Sequence, residues 1–166
     1  KEIVLSGGAV NSPHILQVSG IGPQNHLQSI GVKTVHDLPG VGQNLQDHYV
    51  SRGSHRVKNS VSINQLSRGI RLLREIGSWA FQGKGALTFG ITSAMVFSRS
   101  REGLSSPDIQ LLFTPASYSQ KTHGELEKEG GMTVVVCPVR PSSRGTIMAD
   151  SSDALIRPLI RPNYLS

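Results

Sequence analysis

The strongest chemical signal lies near one end of the chain, in Gly8-Ala9-Val10-Asn11-Ser12-Pro13-His14-Ile15-Leu16-Gln17-Val18-Ser19-Gly20-Ile21-Gly22. It follows a short apolar run, Ile3-Val4-Leu5, and it reads as the turn from a buried strand into a helix. Small residues at such a turn let a backbone approach a cofactor closely, and a helix N-terminus favours an anion. The strand is expected to end at Ser6, Gly7, Gly8 and Ala9, which makes these four the candidates for cofactor contact. The same pattern also occurs in αβ turns that hold no ligand.

Other chemistry is thinner. Of the six histidines, His48 is the most interesting because it follows Asp47. Adjacent residues on an extended chain point opposite ways, which argues against an Asp-His dyad. His14, His26, His36, His55 and His123 read as ordinary surface or core residues. No Gly-x-Ser-x-Gly elbow supports a serine hydrolase, and no His-Glu-x-x-His spacing supports a metal site. Cys137 is a single thiol in an apolar run, so it forms no internal disulfide and no Cys-x-x-Cys site. Trp79 and Phe81, near a helix end, read as core rather than as a stacking platform.

Several elements must position these residues. Ser12 suits a helix N-cap, which puts Pro13 at the first helical position, where its missing N–H costs nothing. Ile15, Leu16 and Val18 supply an apolar face. Gly20, Gly22 and Pro23 then stop that helix. Residues 24–30 read as a second short helix, 32–36 as a strand and 39–42 as a tight turn. Residues 51–61 are polar and β-prone. Leu66, Ile70, Leu73 and Ile76 repeat at helical steps within one helix over 64–82. Strands are expected at 92–98, 108–114 and 132–139. Residues 119–131 read as a surface loop. The turn at 141–145 is expected to fold 146–149 back antiparallel onto 132–139. Pro158 and Pro162 make the tail extended and edge-like. A succession of strands without βα alternation predicts an antiparallel sheet over about 85–150.

Composition excludes several classes. The 166 residues carry a formal charge of +6, but Lys and Arg are scattered. Only Arg68, Arg71 and Arg74 share a helical face, and no aromatic residues interleave with them, so nucleic-acid binding is unsupported. No run of 18 apolar residues suggests a transmembrane helix. A start at Lys1-Glu2-Ile3-Val4-Leu5, without an initiator Met, is expected of an internal stretch of a larger protein. A cytoplasmic or peripheral membrane location is the expectation.

Residues 8–22 resemble the second sequence pattern of the glucose-methanol-choline (GMC) oxidoreductases, including Ser12-Pro13, Ile15-Leu16 and Ser19-Gly20-Ile21-Gly22. The resemblance continues in Asp37-Leu38-Pro39-Gly40-Val41-Gly42-Gln43-Asn44-Leu45-Gln46-Asp47-His48. It returns at Pro107-Asp108-Ile109-Gln110, Ser143-Arg144-Gly145 and Arg161-Pro162-Asn163-Tyr164-Leu165-Ser166. These blocks run in the family's order, closest to its choline-dehydrogenase-like branch. The resemblance implies an FAD enzyme oxidising an alcohol, with the electron acceptor open between oxygen, a quinone and another carrier. It implies an α/β plus α+β fold: residues 1–50 ending a Rossmann-type FAD domain, and 51–166 forming part of an antiparallel-sheet substrate domain. Ser6, Gly7, Gly8 and Ala9 would then lie near the AMP half of FAD. The family's N-terminal Gly-x-Gly-x-x-Gly loop and its C-terminal catalytic His have no counterpart here, so the chain alone is expected to be inactive, with no catalytic residue of its own. The rival expectation is a stand-alone relic or binding module without catalysis. The surrounding reading frame discriminates the two.

Overall fold

The computed structural model describes residues 2–119, 121–122 and 124–166. His123 lies outside them. The chain divides into two compact units: one runs up to Tyr49 and resumes over Pro141–Ser166, and the other is Val50–Arg140. The sequence-based division had left 141–166 with the second unit.

In the first unit, helix α1 (Gly8–Val18) begins earlier than its sequence suggests. Gly8 turns the chain into it with φ +76°, a conformation that costs glycine little. Ser12 is therefore inside α1, where its Oγ accepts the Gly7 N–H at 3.0 Å. Pro13 is also internal and costs α1 one backbone hydrogen bond. The buried positions are His14 and Gln17, whereas Ile15 is exposed. Residues 3–5 are not a strand, and Ser6, Gly7, Gly8 and Ala9 do not form a strand end. Ile3 and Val4 are exposed, and no described strand pairs with them. A buried parallel strand needs neighbours, and apolar character alone does not supply them.

Gly20 ends the turn after α1 with φ +88°. A Cβ there would sit 2.6 Å from the Lys33 carbonyl, so only glycine lets these segments meet. The contact sets up a short parallel pair, β1 (Ile21–Gly22) with β2 (His36–Asp37). The expected strand over 32–36 reaches pairing only at its last residue. Helix α2 (Gln24–Ser29) matches expectation and buries Leu27 completely. The Asp37 carboxylate accepts the Gln24 N–H at 3.0 Å and so caps α2 from another segment.

The second unit is a four-stranded antiparallel sheet of order β3-β6-β5-β4. Its strands are β3 (Ser51–Arg56), β4 (Ala94–Ser98), β5 (Ile109–Thr114) and β6 (Gly131–Pro138). The valine-rich β6 lies between β3 and β5, where β-branched residues pack best. The expected single helix over 64–82 is two, α3 (Ile63–Leu66) and α4 (Gly69–Gln82). Gly69 breaks it with φ +56°, a feature that hydrophobic spacing does not register. Gly83, at φ +62°, closes α4 in the left-handed cap that glycine favours.

The expected hairpin between 132–139 and 146–149 does not form. Instead β7 (Thr146–Met148) pairs antiparallel with β8 (Leu159–Arg161), inside the first unit. A turn such as 141–145 redirects the chain without choosing its partner, and here a later segment supplies it.

Candidate functional site

Within the first unit, Ala9, Pro13, Gly42, Gln43, Asn44, Leu45, Gln46 and Ile147 line an open cleft of about 230 Å³. Three close contacts build it. Gln17 is fully buried. Its Nε2 donates to the Ile147 carbonyl at 3.0 Å, and its Oε1 accepts the Ala149 N–H at 2.9 Å. The side-chain amide thus bonds the edge of β7 as a neighbouring strand would, and it locks α1 against β7. Gly42 has φ +81°, and a Cβ on it would meet the Ile147 carbonyl at 2.3 Å. Gly42 can therefore accept the Ile147 N–H at 2.7 Å through its own carbonyl. Leu45 and Gly145 then exchange two backbone hydrogen bonds, at 2.9 and 2.8 Å.

The chemistry of this cleft follows from its lining. Its wall of Gln43, Asn44 and Gln46 offers neutral donors and acceptors, and Ala9 and Gly42 leave room for close approach. α1 begins beside it and has no acidic residue in its first turn. A helix start of that kind attracts an anionic group. One donor is already committed, because the Gly7 N–H is held by Ser12. The volume is below the roughly 300–1,000 Å³ typical of a pocket that encloses a whole drug-sized ligand. The cleft is therefore sized for part of a large ligand rather than all of one.

A second group lies at the far end of the same loop. The Tyr164 hydroxyl donates a hydrogen bond to Asp47 Oδ2, and the other oxygen, Oδ1, accepts the His48 N–H at 2.9 Å. The Tyr49 and Tyr164 rings meet with centroids 5.6 Å apart, tilted by 59°. The hydrogen bond to Asp47, then desolvation and the carboxylate's charge, raise the Tyr164 pKa above the ordinary phenol value. The hydroxyl therefore keeps its proton and remains a donor.

In the second unit, Arg52, Ser54, Thr114, Tyr118, Thr133 and Val135 are among the residues lining a hollow of about 650 Å³. The register puts Arg52, Ser54, Thr133, Val135 and Thr114 on one sheet face. Its hydroxyls largely satisfy one another: Ser54 and Thr133 lie 3.1 Å apart, and Thr133 donates to the Ala116 carbonyl at 2.7 Å. Among the described residues, no group of three His, Cys, Asp or Glu could hold a metal ion. Among the described residues, no helix is long and apolar enough to cross a membrane.

Of the four residues picked from the sequence, Ala9 lines the cleft. Gly7 and Gly8 form the turn into α1 beside it, and Ser6 precedes that turn. Gln17 and the 43–46 wall were not singled out. Gln17 is a polar residue on an apolar-looking helix, and its burial depends on β7, which lies far along the chain. The 43–46 wall had a usable signal in the run of amides directly after the Pro39-Gly40-Val41-Gly42 turn. Four of the five quoted sequence blocks meet in this unit. The fifth holds Asp108, whose carboxylate accepts the Ser100 hydroxyl at 2.6 Å and the Ser100 N–H at 2.7 Å. The Ser100 hydroxyl first, and its N–H second, lower the Asp108 pKa.

Residues 1–50 match the family model described as GMC oxidoreductase. Along 99% of its length the chain is 39% identical to an oxygen-dependent choline dehydrogenase of Photobacterium profundum, of which it spans 29%. It is 38% identical to an alcohol dehydrogenase [acceptor] of Pseudomonas putida, over 99% of this chain and 30% of that protein. A solved variant of Aspergillus oryzae formate oxidase, prepared to follow FAD modification, superposes with a TM-score of 0.83. There the identity is 26%, over 99% of this chain and 33% of the other. The chain thus spans about 30% of the length of the curated relatives it matches.

Proposed function

We propose, for a chain that belongs to the GMC oxidoreductase family, a place in an FAD-dependent enzyme that oxidises the CH–OH group of an alcohol, choline or another primary alcohol, to the aldehyde. The observation that carries the reading is the meeting of the start of α1, the 43–46 wall and β7 around one cleft. When bound, FAD supplies the acceptor for the hydride from the alcohol carbon. This chain's own residues would hold part of the cofactor. Gly8 and Ala9 bring the backbone close, the amides of Gln43, Asn44 and Gln46 offer hydrogen bonds, and the start of α1 faces the negative charge. Gln17, Gly42 and Gly145 would keep that wall in place.

The general base that takes the hydroxyl proton would come from outside these residues. The nature of the electron acceptor lies outside them too. The test is to express the complete reading frame that contains this chain and to measure flavin absorbance after purification. Dye reduction with choline and a panel of simple alcohols is then assayed, with the 166-residue chain alone as comparison. The expected result is one flavin per protein and turnover in the complete protein, and neither in the isolated chain. A complete protein that binds no flavin would overturn the reading.

A further inference from the structure

We propose that Tyr164 and Asp47 form a latch that holds the 45–48 segment in its cleft-lining conformation, which makes Tyr164 a positioning residue for the proposed cofactor site. The consequence for FAD rests on the functional reading above; the latch itself does not.

The geometry starts at Gly145. A Cβ there would lie 2.2 Å from the Arg161 carbonyl, so the bare glycine lets the tail press against the 143–145 segment. Asn163 extends the same contact by donating through Nδ2 to the Arg144 carbonyl at 3.2 Å. Arg144 stiffens its own turn, since one guanidinium nitrogen reaches the carbonyls of Pro141, Ser142 and Ser143 at 2.9–3.0 Å. Tyr164 is thereby held beside Asp47.

Two of the ties on this loop lie at Leu45 and Asp47. Leu45 is paired with Gly145 through both backbone groups. Two residues on, Asp47 is held by the Tyr164 hydroxyl through one oxygen and orients the His48 N–H through the other. Gln46, which lines the cleft, lies between the two anchors. Without the Asp47 tie, Gln46 would be held less firmly, and its side-chain amide would lose part of its fixed direction in the wall. An ionised carboxylate accepting two hydrogen bonds is a stronger tie than a neutral pair. The Tyr49 ring against Tyr164 narrows the orientations the hydroxyl can take.

The test uses the full-length protein with Tyr164→Phe, Asp47→Asn and, as a control, Tyr49→Phe. Hydrogen exchange of residues 43–48 is read by mass spectrometry, together with flavin content and the visible circular dichroism of the bound flavin. Tyr164→Phe keeps the ring and removes only the donor. It is expected to speed exchange at 46–48 about 5-fold or more. Asp47→Asn should give a smaller increase, and Tyr49→Phe should leave exchange near wild type. α1 and β7 should stay protected in all three, which reports that the first unit keeps its fold. Should Tyr164→Phe lose α1 and β7 protection, the milder Asp47→Asn decides. Faster exchange with less flavin, or with an altered flavin signal, supports both the latch and the cofactor assignment. Faster exchange with unchanged flavin content and signal supports the latch and removes the cofactor assignment. Unchanged exchange at 46–48 in both latch variants, with α1 and β7 still protected, overturns the latch.

Discussion

Gln17 and Asn64 do the same physical job in two differently built units. Each is completely buried, and each uses a side-chain amide to bond backbone of a segment distant in sequence. Gln17 joins α1 to β7 across 130 residues of sequence through two bonds. Asn64 joins α3 to the carbonyls of Ser117 and Glu127 at 2.8 and 3.0 Å, and accepts the Ser117 N–H at 2.9 Å. Around Gln17 the contacts are backbone against backbone, made possible by Gly20, Gly42 and Gly145. Around Asn64 a continuous antiparallel ladder carries the structure. The difference suggests that the first unit depends on single positions, whereas the second shares its stability among many ladder bonds.

The largest effect should come from Gly42→Val. It sets a β-branched residue at φ +81° and drives a Cβ into the Ile147 carbonyl. A loss of about 3 kcal/mol or more is expected, because strain and clash act together. Urea unfolding of the full-length protein measures it, and a midpoint within error of wild type would break the comparison.

Next come Gln17→Leu and Asn64→Leu. Each keeps the approximate volume and strands buried backbone groups, at about 1–3 kcal/mol for each group left unpaired. Hydrogen exchange sharpens the contrast between the units. Gln17→Leu should release α1 and β7, whereas Asn64→Leu should release α3 and residues 115–117 and leave most of the ladder protected. Equal release of the β3–β6 ladder by both variants would erase the distinction.

The smallest effect concerns acid. Asp108 has a lowered pKa, so its contact with Ser100 contributes above the unfolded carboxylate pKa and is lost as pH falls through the folded value. Ser100 is exposed and Asp108 only partly covered, so the expected change is local: protection of the Ser100 amide, the slowing of its exchange relative to the unstructured rate at the same pH, should fall at acid pH, and Asp108→Asn should abolish that pH dependence. Ser100 protection that does not fall as the wild type is acidified, or that falls equally in Asp108→Asn, would contradict the assignment.

The antiparallel sheet was legible because β5 and β6 announce themselves by composition, and residues 24–29 carry clear helix boundaries. Three features were not. The helix over 64–82 breaks at Gly69 because a backbone angle, not side-chain spacing, decides it. The Pro141-Ser142-Ser143-Arg144-Gly145 turn pointed to a local hairpin, but Gly145 admits the distant tail and β7 pairs with β8 instead. Residues 3–5 have strand character and no partner among the described strands. For the site, Ala9 was visible as a small residue at a helix start. The amides of the 43–46 wall were legible as a run after a tight turn, but the placing of that wall and of Gln17 comes from contacts with residues about a hundred or more positions away, which no local pattern encodes.

The central claim is that the cleft beside the start of α1 holds part of FAD. It is tested most directly by the flavin-to-protein ratio of the full-length protein carrying Ala9→Phe. Ala9 lines the cleft and is solvent-exposed, so a larger side chain there should fill the space without disturbing the core. The account predicts a flavin ratio well below the wild-type value with α2 and β7, in the same unit, still protected from exchange. A wild-type ratio of bound flavin in that variant would contradict it.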